Sequence, residues 1–150
     1  MIAIELARPT DRPAIEGLLQ ANGLPTLGLE LAMPAAIVAR EDRRIVGCAA
    51  VEIYGSAGLL RSVCVEPAQR GTGLGRRLVE RTEYVARHRG VDELFLLTET
   101  AAEWFERLGF TPDRRESAPA PLQASPEFTG ACPVSAALLR KRLDRPAPLA

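Results

Sequence analysis

A glycine-rich turn between an apolar segment and an amphipathic segment is the part of this chain whose residue types best predict chemistry. The apolar segment ends at Pro67, and the turn after it carries Gly71, Gly73 and Gly75. Glycine lets a backbone approach a ligand with no Cβ in the way. Amides at a helix N-terminus, with the partial positive charge of the helix dipole, favour phosphate or diphosphate. The turn therefore predicts a diphosphate site.

Two common phosphate motifs do not fit this turn. A P-loop needs a Lys-Ser or Lys-Thr pair after its last glycine, and none follows Gly75. A dinucleotide fingerprint needs a third glycine where this chain has Arg76. The spacing that remains is Arg70-x-x-Gly73-x-Gly75. An ordinary glycine-rich connection between a strand and a helix is the alternative.

That spacing resembles the diphosphate loop of the GNAT superfamily of acyl-CoA-dependent N-acyltransferases, Gln/Arg-x-x-Gly-x-Gly/Ala. A second segment, Phe105-Glu106-Arg107-Leu108-Gly109-Phe110, resembles the Tyr-x-x-x-Gly-Phe motif of the same family. The resemblance covers nearly the whole chain. It implies an α/β (α+β) fold with a mixed, mostly antiparallel sheet of six to seven strands, about four flanking helices, and splayed fourth and fifth strands. It also implies acetyl-CoA as co-substrate and no metal.

Carried over by position, the resemblance implies a cofactor site with three parts. Backbone groups of the fourth strand hold the acetyl-pantetheine arm, and the Val63 N–H polarises the thioester carbonyl. The turn holds the diphosphate, and the region after the fifth strand lines the other wall. The implied residues are Val63, Cys64, Val65, Arg70, Gly71, Thr72, Gly73, Leu74, Gly75, Arg76, Thr98, Ala101 and Phe105.

Two catalytic groups that many family members have are missing here. Phe105 occupies the position where they have a tyrosine that acts as the acid. Arg61 lies near the position where they have a glutamate that acts as the base. By period-two alternation Arg61 shares a strand face with Val63, which makes it a candidate clamp for an acceptor carboxylate. An arginine facing solvent is the alternative. Glu52, on the neighbouring strand, is the candidate base acting through water, with a solvated carboxylate as its alternative.

A C-terminal segment adds a second, narrower resemblance. Phe128, followed by Cys132-Pro133-Val134-Ser135-Ala136, and residues 59–63 resemble the arsenic-resistance N-acetyltransferases, a GNAT subgroup. This implies an acceptor that is amino-acid-like, such as an organoarsenical related to glutamate, with Cys132 and Ser135 near it. A buried, small apolar Cys132 is the alternative.

Composition limits the remaining function classes. The chain has 150 residues, and its 19 basic and 19 acidic residues balance, so no charged stripe or tail indicates nucleic acid. No apolar run is long enough to span a bilayer, and we expect no signal peptide. Three widely spaced cysteines favour reduced thiols in the cytoplasm over a disulfide framework. We expect one domain over 1–143, a frayed tail over 144–150, and a possible homodimer.

Hydrophobic periodicity predicts the elements that position these residues. Strands over 35–40, 44–54 and 59–65, joined by short turns, indicate an antiparallel meander. The helix after the glycine turn leads to a buried strand at 94–97, which makes a βαβ unit. The other expected elements are a strand at 2–6, helices at 11–22, 26–33 and 101–108, a loop at 117–130 and a last strand within 131–143.

The leading functional hypothesis is an N-acetyltransferase that transfers the acetyl group of acetyl-CoA to a small amine. An acceptor that is an ordinary amino acid, such as glutamate, or an antibiotic-type amine is the enzyme alternative. The missing tyrosine and glutamate leave open a non-catalytic acyl-CoA-binding sensor. A thiol protein that binds arsenite or a metal through Cys48, Cys64 and Cys132 is a third class, although their spacing matches no metal motif.

Overall fold

Seven strands form one sheet at the centre of the molecule. The computed structural model describes residues 1–144, and the spatial order of the strands is β1-β2-β3-β4-β5-β7-β6. Neighbouring strands are antiparallel except β4 and β5, which are parallel. The expected mixed, mostly antiparallel sheet is confirmed. The strands are β1 (Ile2–Leu6), β2 (Ile37–Glu41), β3 (Arg44–Tyr54), β4 (Ala57–Val65), β5 (Glu93–Thr98), β6 (Thr111–Asp113) and β7 (Ala137–Arg142).

Helices cover both faces of the sheet. They are α1 (Arg12–Ala21), α2 (Leu74–His88), α3 (Ala102–Arg107) and the single turn α4 (Ala120–Gln123). The apolar side of α1 packs on Cys48 and Cys64 on one face, and Leu78 of α2 packs on the other. Since α2 connects the parallel strands β4 and β5, the predicted βαβ unit is confirmed.

The parallel pair separates soon after it begins. Ala57–Leu59 of β4 pair with Glu93–Phe95 of β5, and beyond this point the two strands share no ladder. β4 continues along β3, whereas β5 continues along β7. The divergence opens a gap in the sheet that backbone and side chains from both strands border.

A β-bulge interrupts β4 next to the gap. Ser62 has a φ of 59°, and the register shifts so that Ala50 faces Arg61 while Cys48 faces Cys64. The extra residue breaks period-two alternation. Arg61 therefore lies on the α1 side of the sheet with Cys64, and the expectation that it shares a face with Val63 and Val65 is wrong.

Two other expected elements also differ from the structure. The short helix expected at 26–33 is replaced by two single 3₁₀ turns, Leu29–Leu31 and Met33–Ala35. Gly28, at φ 78°, and Pro34 interrupt any longer helix there. The loop expected at 117–130 contains α4 and the start of a π-helical turn, Glu127–Ala131.

The C-terminal segment forms the expected strand despite its helical propensity. β7 pairs with β5 on one side and β6 on the other, and these two ladders outweigh the preference of Ala and Leu for helix. The expected tail over 144–150 lies, apart from Asp144, outside the described residues.

Candidate active site

A cleft of about 650 Å³ lies where β4 and β5 diverge. β4 provides Val63, Cys64 and Val65 on one side, and Ala101 and Phe105 close the other. The glycine turn forms its outer end. The turn residues that line this cleft are Gln69, Arg70, Gly71, Gly73, Leu74, Gly75 and Arg76. We call it the cofactor cleft.

The first residues of α2 lie at this outer end. The helical hydrogen bond of Arg77 N–H to the Gly73 carbonyl is 3.1 Å long, which leaves the amides of the first helical turn without a partner inside α2. Gly71 and Gly73 have φ values of 79° and 84°, which residues with a side chain rarely adopt. A Cβ at either position would point into open space, so glycine is favoured there by the backbone angles and not by a lack of room. The resulting row of amides at a helix N-terminus suits a diphosphate.

Gly75 has a different role from the other two glycines. A Cβ built at this position would lie 3.1 Å from Cζ2 of the Trp104 ring. Its missing side chain therefore lets α2 and α3 approach each other, which keeps Trp104 and Phe105 beside the cleft. Close helix packing explains this glycine at least as well as access for an anion.

The charged side chains of the turn are exposed. Arg70 Nη2 donates to Asn22 Oδ1 at 2.8 Å, which ties the turn to the end of α1. Arg76 pairs with Glu80 at 3.0 Å, one helical turn further along α2. The Thr72 hydroxyl donates to the Gln69 carbonyl at 2.6 Å and closes the turn on itself. Both arginines line the cofactor cleft, and each has a partner on the protein surface.

A second cleft, of about 310 Å³, adjoins the first and is bordered by residues 60–63 of β4 and 96–99 at the end of β5. The two share Val63, Ala101 and Phe105, so they meet at the diverging strands. Thr98 belongs to the second cleft, where its hydroxyl accepts a 3.0 Å hydrogen bond from the Ala101 amide. The second cleft, which we call the acceptor cleft, is also lined by Arg61, Ser62, Glu99, Glu127 and Cys132.

A buried ion cluster forms one wall of the acceptor cleft. Arg61 Nη1 pairs with Glu52 Oε2 at 2.9 Å, and Arg61 Nε pairs with Glu127 Oε1 at 3.1 Å. Only 1% of the Arg61 side chain is exposed, so solvent does not screen these pairs. Arg61 Nη2 is buried and has no hydrogen-bond partner within residues 1–144. A buried, unpaired donor on a charged group is costly, which points to an acceptor atom that binding would supply.

Glu52 is fully engaged within this cluster. Its Oε1 accepts from the Tyr54 hydroxyl and, at 2.8 Å, from the Ser125 hydroxyl, while Oε2 accepts from Arg61. Burial, together with the hydrogen bond to Glu52, raises the pKa of Tyr54 to about 12, so Tyr54 stays a donor at neutral pH. Glu52 lines neither cleft. Its geometry favours holding Arg61 in place over accepting a proton from an acceptor.

Glu127 is the carboxylate that the sequence did not single out. It lies 6% exposed at the start of the π-helical turn, and its Oε2 accepts from Cys132 Sγ at 2.6 Å. Burial and this neighbouring carboxylate raise the pKa of Cys132 to about 12, which keeps the thiol protonated. In sequence Glu127 is one isolated acid in a Pro- and Ala-rich stretch, and no periodic pattern distinguishes it.

The structure brings together most of the predicted acceptor residues. Arg61 and Cys132 both line the acceptor cleft, whereas Ser135 is exposed and lines neither cleft. Burial raises the pKa of Cys48 and of Cys64, which face each other across β3 and β4 on the α1 side. No group of three or more His, Cys, Asp or Glu side chains within residues 1–144 is placed to hold a metal ion. No helix in this part of the chain combines the length and apolarity needed to cross a bilayer.

Known proteins have sequences related to this chain. Residues 34–112 match the family described as "Acetyltransferase (GNAT) domain". An amino-acid acetyltransferase of Pseudomonas aeruginosa is 38% identical over 119 residues, which are 78% of this chain and 26% of the relative. One from Proteus mirabilis is 32% identical over 123 residues, 81% of this chain and 27% of the relative. The chain thus spans about a quarter of the length of these curated relatives.

Solved structures show the same fold. N-acetylglutamate synthase from Neisseria gonorrhoeae, complexed with coenzyme A and N-acetyl-glutamate, superposes with a TM-score of 0.82 at 25% identity, covering 97% of this chain and 36% of the synthase. Rv2747 from Mycobacterium tuberculosis, in complex with CoA and NLQ, gives 0.78 at 26% identity, covering 95% and 99% of the two chains. These relatives do not support the predicted link to arsenic resistance, because those with a described acceptor are amino-acid acetyltransferases.

Proposed function

We propose, because this chain belongs to the GNAT acetyltransferase family, that it transfers the acetyl group of acetyl-CoA to the amine of a small amino acid. The observation that carries the proposal is the junction of two clefts at Val63, with unpaired amides at the end of one and a buried guanidinium in the other. This arrangement suits a diphosphate on one side and a carboxylate-bearing acceptor on the other.

The cofactor side of the proposal rests on backbone groups. Amides of the glycine turn and of the first turn of α2 bind the diphosphate, with the exposed Arg70 and Arg76 adding charge. The Val63 N–H polarises the thioester carbonyl at the gap between the strands. Acetyl-CoA supplies an activated acyl group on a good leaving thiol. Since Phe105 has no proton to donate, the thiol departs as the anion, which an ordinary thiol pKa of about 8.5 permits.

The acceptor side rests on Arg61. Its Nη2 is the buried donor without a partner, and a carboxylate oxygen of an amino acid would satisfy it. Glu52 acts as a positioning residue because it fixes Nη1 of the same guanidinium at 2.9 Å. The amino-acid acetyltransferases among the relatives support this acceptor class, and glutamate is the member that we put first.

A thiol-release assay tests the proposal directly. Purified protein and acetyl-CoA are incubated with glutamate, other amino acids, arsenic- and phosphorus-containing glutamate analogues and an aminoglycoside. We expect turnover with amino acids that carry a free α-carboxylate, and a large loss when that carboxylate is amidated. CoA binding without turnover on any acceptor would favour the acyl-CoA sensor, and turnover of the arsenic analogue alone would restore the arsenic interpretation.

Substitution of Arg61 tests the clamp. Arg61→Lys keeps the positive charge but loses the planar guanidinium, whose two terminal nitrogens can bind Glu52 and a ligand at once. We expect the KM for the acceptor to rise at least about tenfold, the value of one charge-assisted hydrogen bond, while the KM for acetyl-CoA changes little. Equal changes in both constants would reject the clamp. Oligomeric state is independent of this test. The expected homodimer stays a prediction, and light scattering on the purified protein would measure the mass that tests it.

A further inference from the structure

Glu127 is a buried carboxylate in the wall of the acceptor cleft. The mechanism above gives it no role. It lines the acceptor cleft, as Val63 does, so it lies on the side from which an amine would reach the thioester. We propose that Glu127 is the catalytic base that binds the acceptor's ammonium group and removes its proton. The proposal rests on the proposed N-acetyltransferase function and names the group that many family members place elsewhere.

The hydrogen bonds of Glu127 leave it capacity to accept more. Each carboxylate oxygen has two lone pairs. Oε2 accepts from Cys132 Sγ. Oε1 lies 3.1 Å from Arg61 Nε as an ion pair, while the Nε–H donates to the Ser62 hydroxyl at 3.2 Å. Each oxygen of Glu127 therefore keeps at least one lone pair free. The contrast with Glu52 is direct, because Glu52 Oε1 already accepts from two hydroxyls and its side chain lies outside the cleft.

The charges of the cluster favour a cation as the missing partner. One guanidinium, Arg61, faces two carboxylates, Glu52 and Glu127, so the buried cluster carries a surplus of negative charge. Arg115 is the other cation nearby, and it donates to the Phe128 and Pro133 carbonyls at 3.1 and 2.9 Å. A cation that enters the cleft therefore gains most by pairing with Glu127.

Of the other polar groups around the acceptor cleft, only Glu99 competes for the role. Cys132 stays a protonated donor, since burial and Glu127 itself raise its pKa to about 12. Tyr54 and Ser125 donate to Glu52. Glu99, on the opposite wall, is an exposed acid at the end of β5 and is the rival base.

The proton balance of the step is complete. Glu127 takes one proton from the ammonium, and the neutral nitrogen attacks the thioester carbon. The carbon–sulfur bond then breaks with its electron pair on sulfur, the nitrogen loses its second proton, and that proton returns to the thiolate. Glu127 releases the first proton to solvent, so amide, thiol and one proton are the products.

Acceptors whose ammonium groups differ in acidity test this step. Glu127→Gln keeps an oxygen for Arg61 Nε but cannot take a proton. With a glutamate-type acceptor at pH 7, we expect kcat/KM to fall about 10²- to 10⁴-fold, the usual contribution of a general base. With an acceptor whose amine is already neutral at pH 7, such as a hydrazide analogue, the loss should shrink to less than about tenfold.

Two checks of folding and two control variants decide the result. The Kd for CoA by calorimetry and the thermal unfolding temperature of Glu127→Gln should match those of the wild type. That result would show that the variant is folded and binds the cofactor. Glu127→Asp, which retains a carboxylate one methylene shorter, should recover part of the activity and keep the wild-type dependence on amine acidity. Glu116→Gln, an exposed acid in the same segment, should leave every value unchanged.

The outcomes separate the two proposals. A wild-type protein without turnover on any acceptor would refute the acetyltransferase function itself. An active wild type with an equally active Glu127→Gln would overturn only the role of Glu127. A loss in Glu99→Gln that depends on amine acidity, with none in Glu127→Gln, would assign the base to the other wall. Equal losses for neutral and protonated amines in Glu127→Gln would also overturn the base.

Discussion

The two clefts that meet at Val63 are built by different means. The cofactor cleft takes most of its polar groups from the main chain between β4 and α2, within one short stretch of sequence. The acceptor cleft takes its charged groups from β4, the end of β5 and the π-helical turn, which are far apart in the chain. A site made of amides depends on backbone angles, whereas a site made of side chains depends on long-range packing and on charge balance in a buried setting.

We expect the largest effect on stability at Arg61, in the acceptor cleft, and its absence would contradict this contrast between the two clefts. In Arg61→Ala, Glu52 and Glu127 remain buried without their common cation. We expect a loss of about 3–5 kcal/mol in the free energy of unfolding, measured by urea titration, because unpaired buried charges are strongly destabilising. Arg44→Ala is the matched control: it removes an ion pair with Glu66, but its side chain is 63% exposed. Similar losses in the two variants would show that the cluster is solvated.

A substitution in the cofactor cleft should separate ligand binding from stability. Gly73 and Gly90 have φ values of 84° and 89°, flank the two ends of α2, and face open space. Gly73→Ala and Gly90→Ala should each cost about 1–2 kcal/mol of stability, the strain of a left-handed residue with a Cβ.

Only Gly73→Ala should weaken the binding of CoA, because it shifts the amides at the start of the helix. We expect its Kd for CoA, measured by calorimetry, to rise about tenfold or more. Equal Kd values in the two variants would contradict the amide cradle.

A smaller effect is expected at Cys132 on the acceptor side. Its raised pKa, about 12, comes from burial first and from Glu127 second. Replacing Glu127 by Gln removes the second cause, so the pKa of Cys132 falls and its thiolate fraction at pH 8 rises. We expect iodoacetamide to alkylate Cys132 about three- to tenfold faster in that variant, measured by mass spectrometry. Cys48 and Cys64, which are buried elsewhere, provide the internal reference. An unchanged rate at Cys132 would mean that Glu127 does not act on the thiol.

Sequence patterns predicted the parts of the molecule that depend on local residues. The strand at 44–54 was predicted with the bounds that the structure shows, because Ile45, Val46, Val51 and Ile53 lie between two clear turns. The glycine turn was predicted because its angles and its place before a helix are encoded in neighbouring residues. The βαβ unit followed from the same segment.

Other features could not be predicted because they depend on contacts between distant segments. The bulge at Ser62 carries no glycine, yet it moves Arg61 to the face opposite Val63. Glu127 meets Arg61 only after the C-terminal segment folds back. Gly28 illustrates the same limit, since a Cβ there would lie 2.8 Å from Cγ of Pro126, a close approach that no local pattern indicates.

The position of β7 has a consequence for how the protein is made. β7 inserts between β5 and β6, and it directly follows the turn that carries Glu127. While the chain is still emerging from the ribosome, the meander, α2 and the glycine turn are already available to fold. The opposite half waits for residues 137–142 to leave the exit tunnel. Under the proposed function, the diphosphate-binding turn would therefore be complete before the wall that recognises the acceptor.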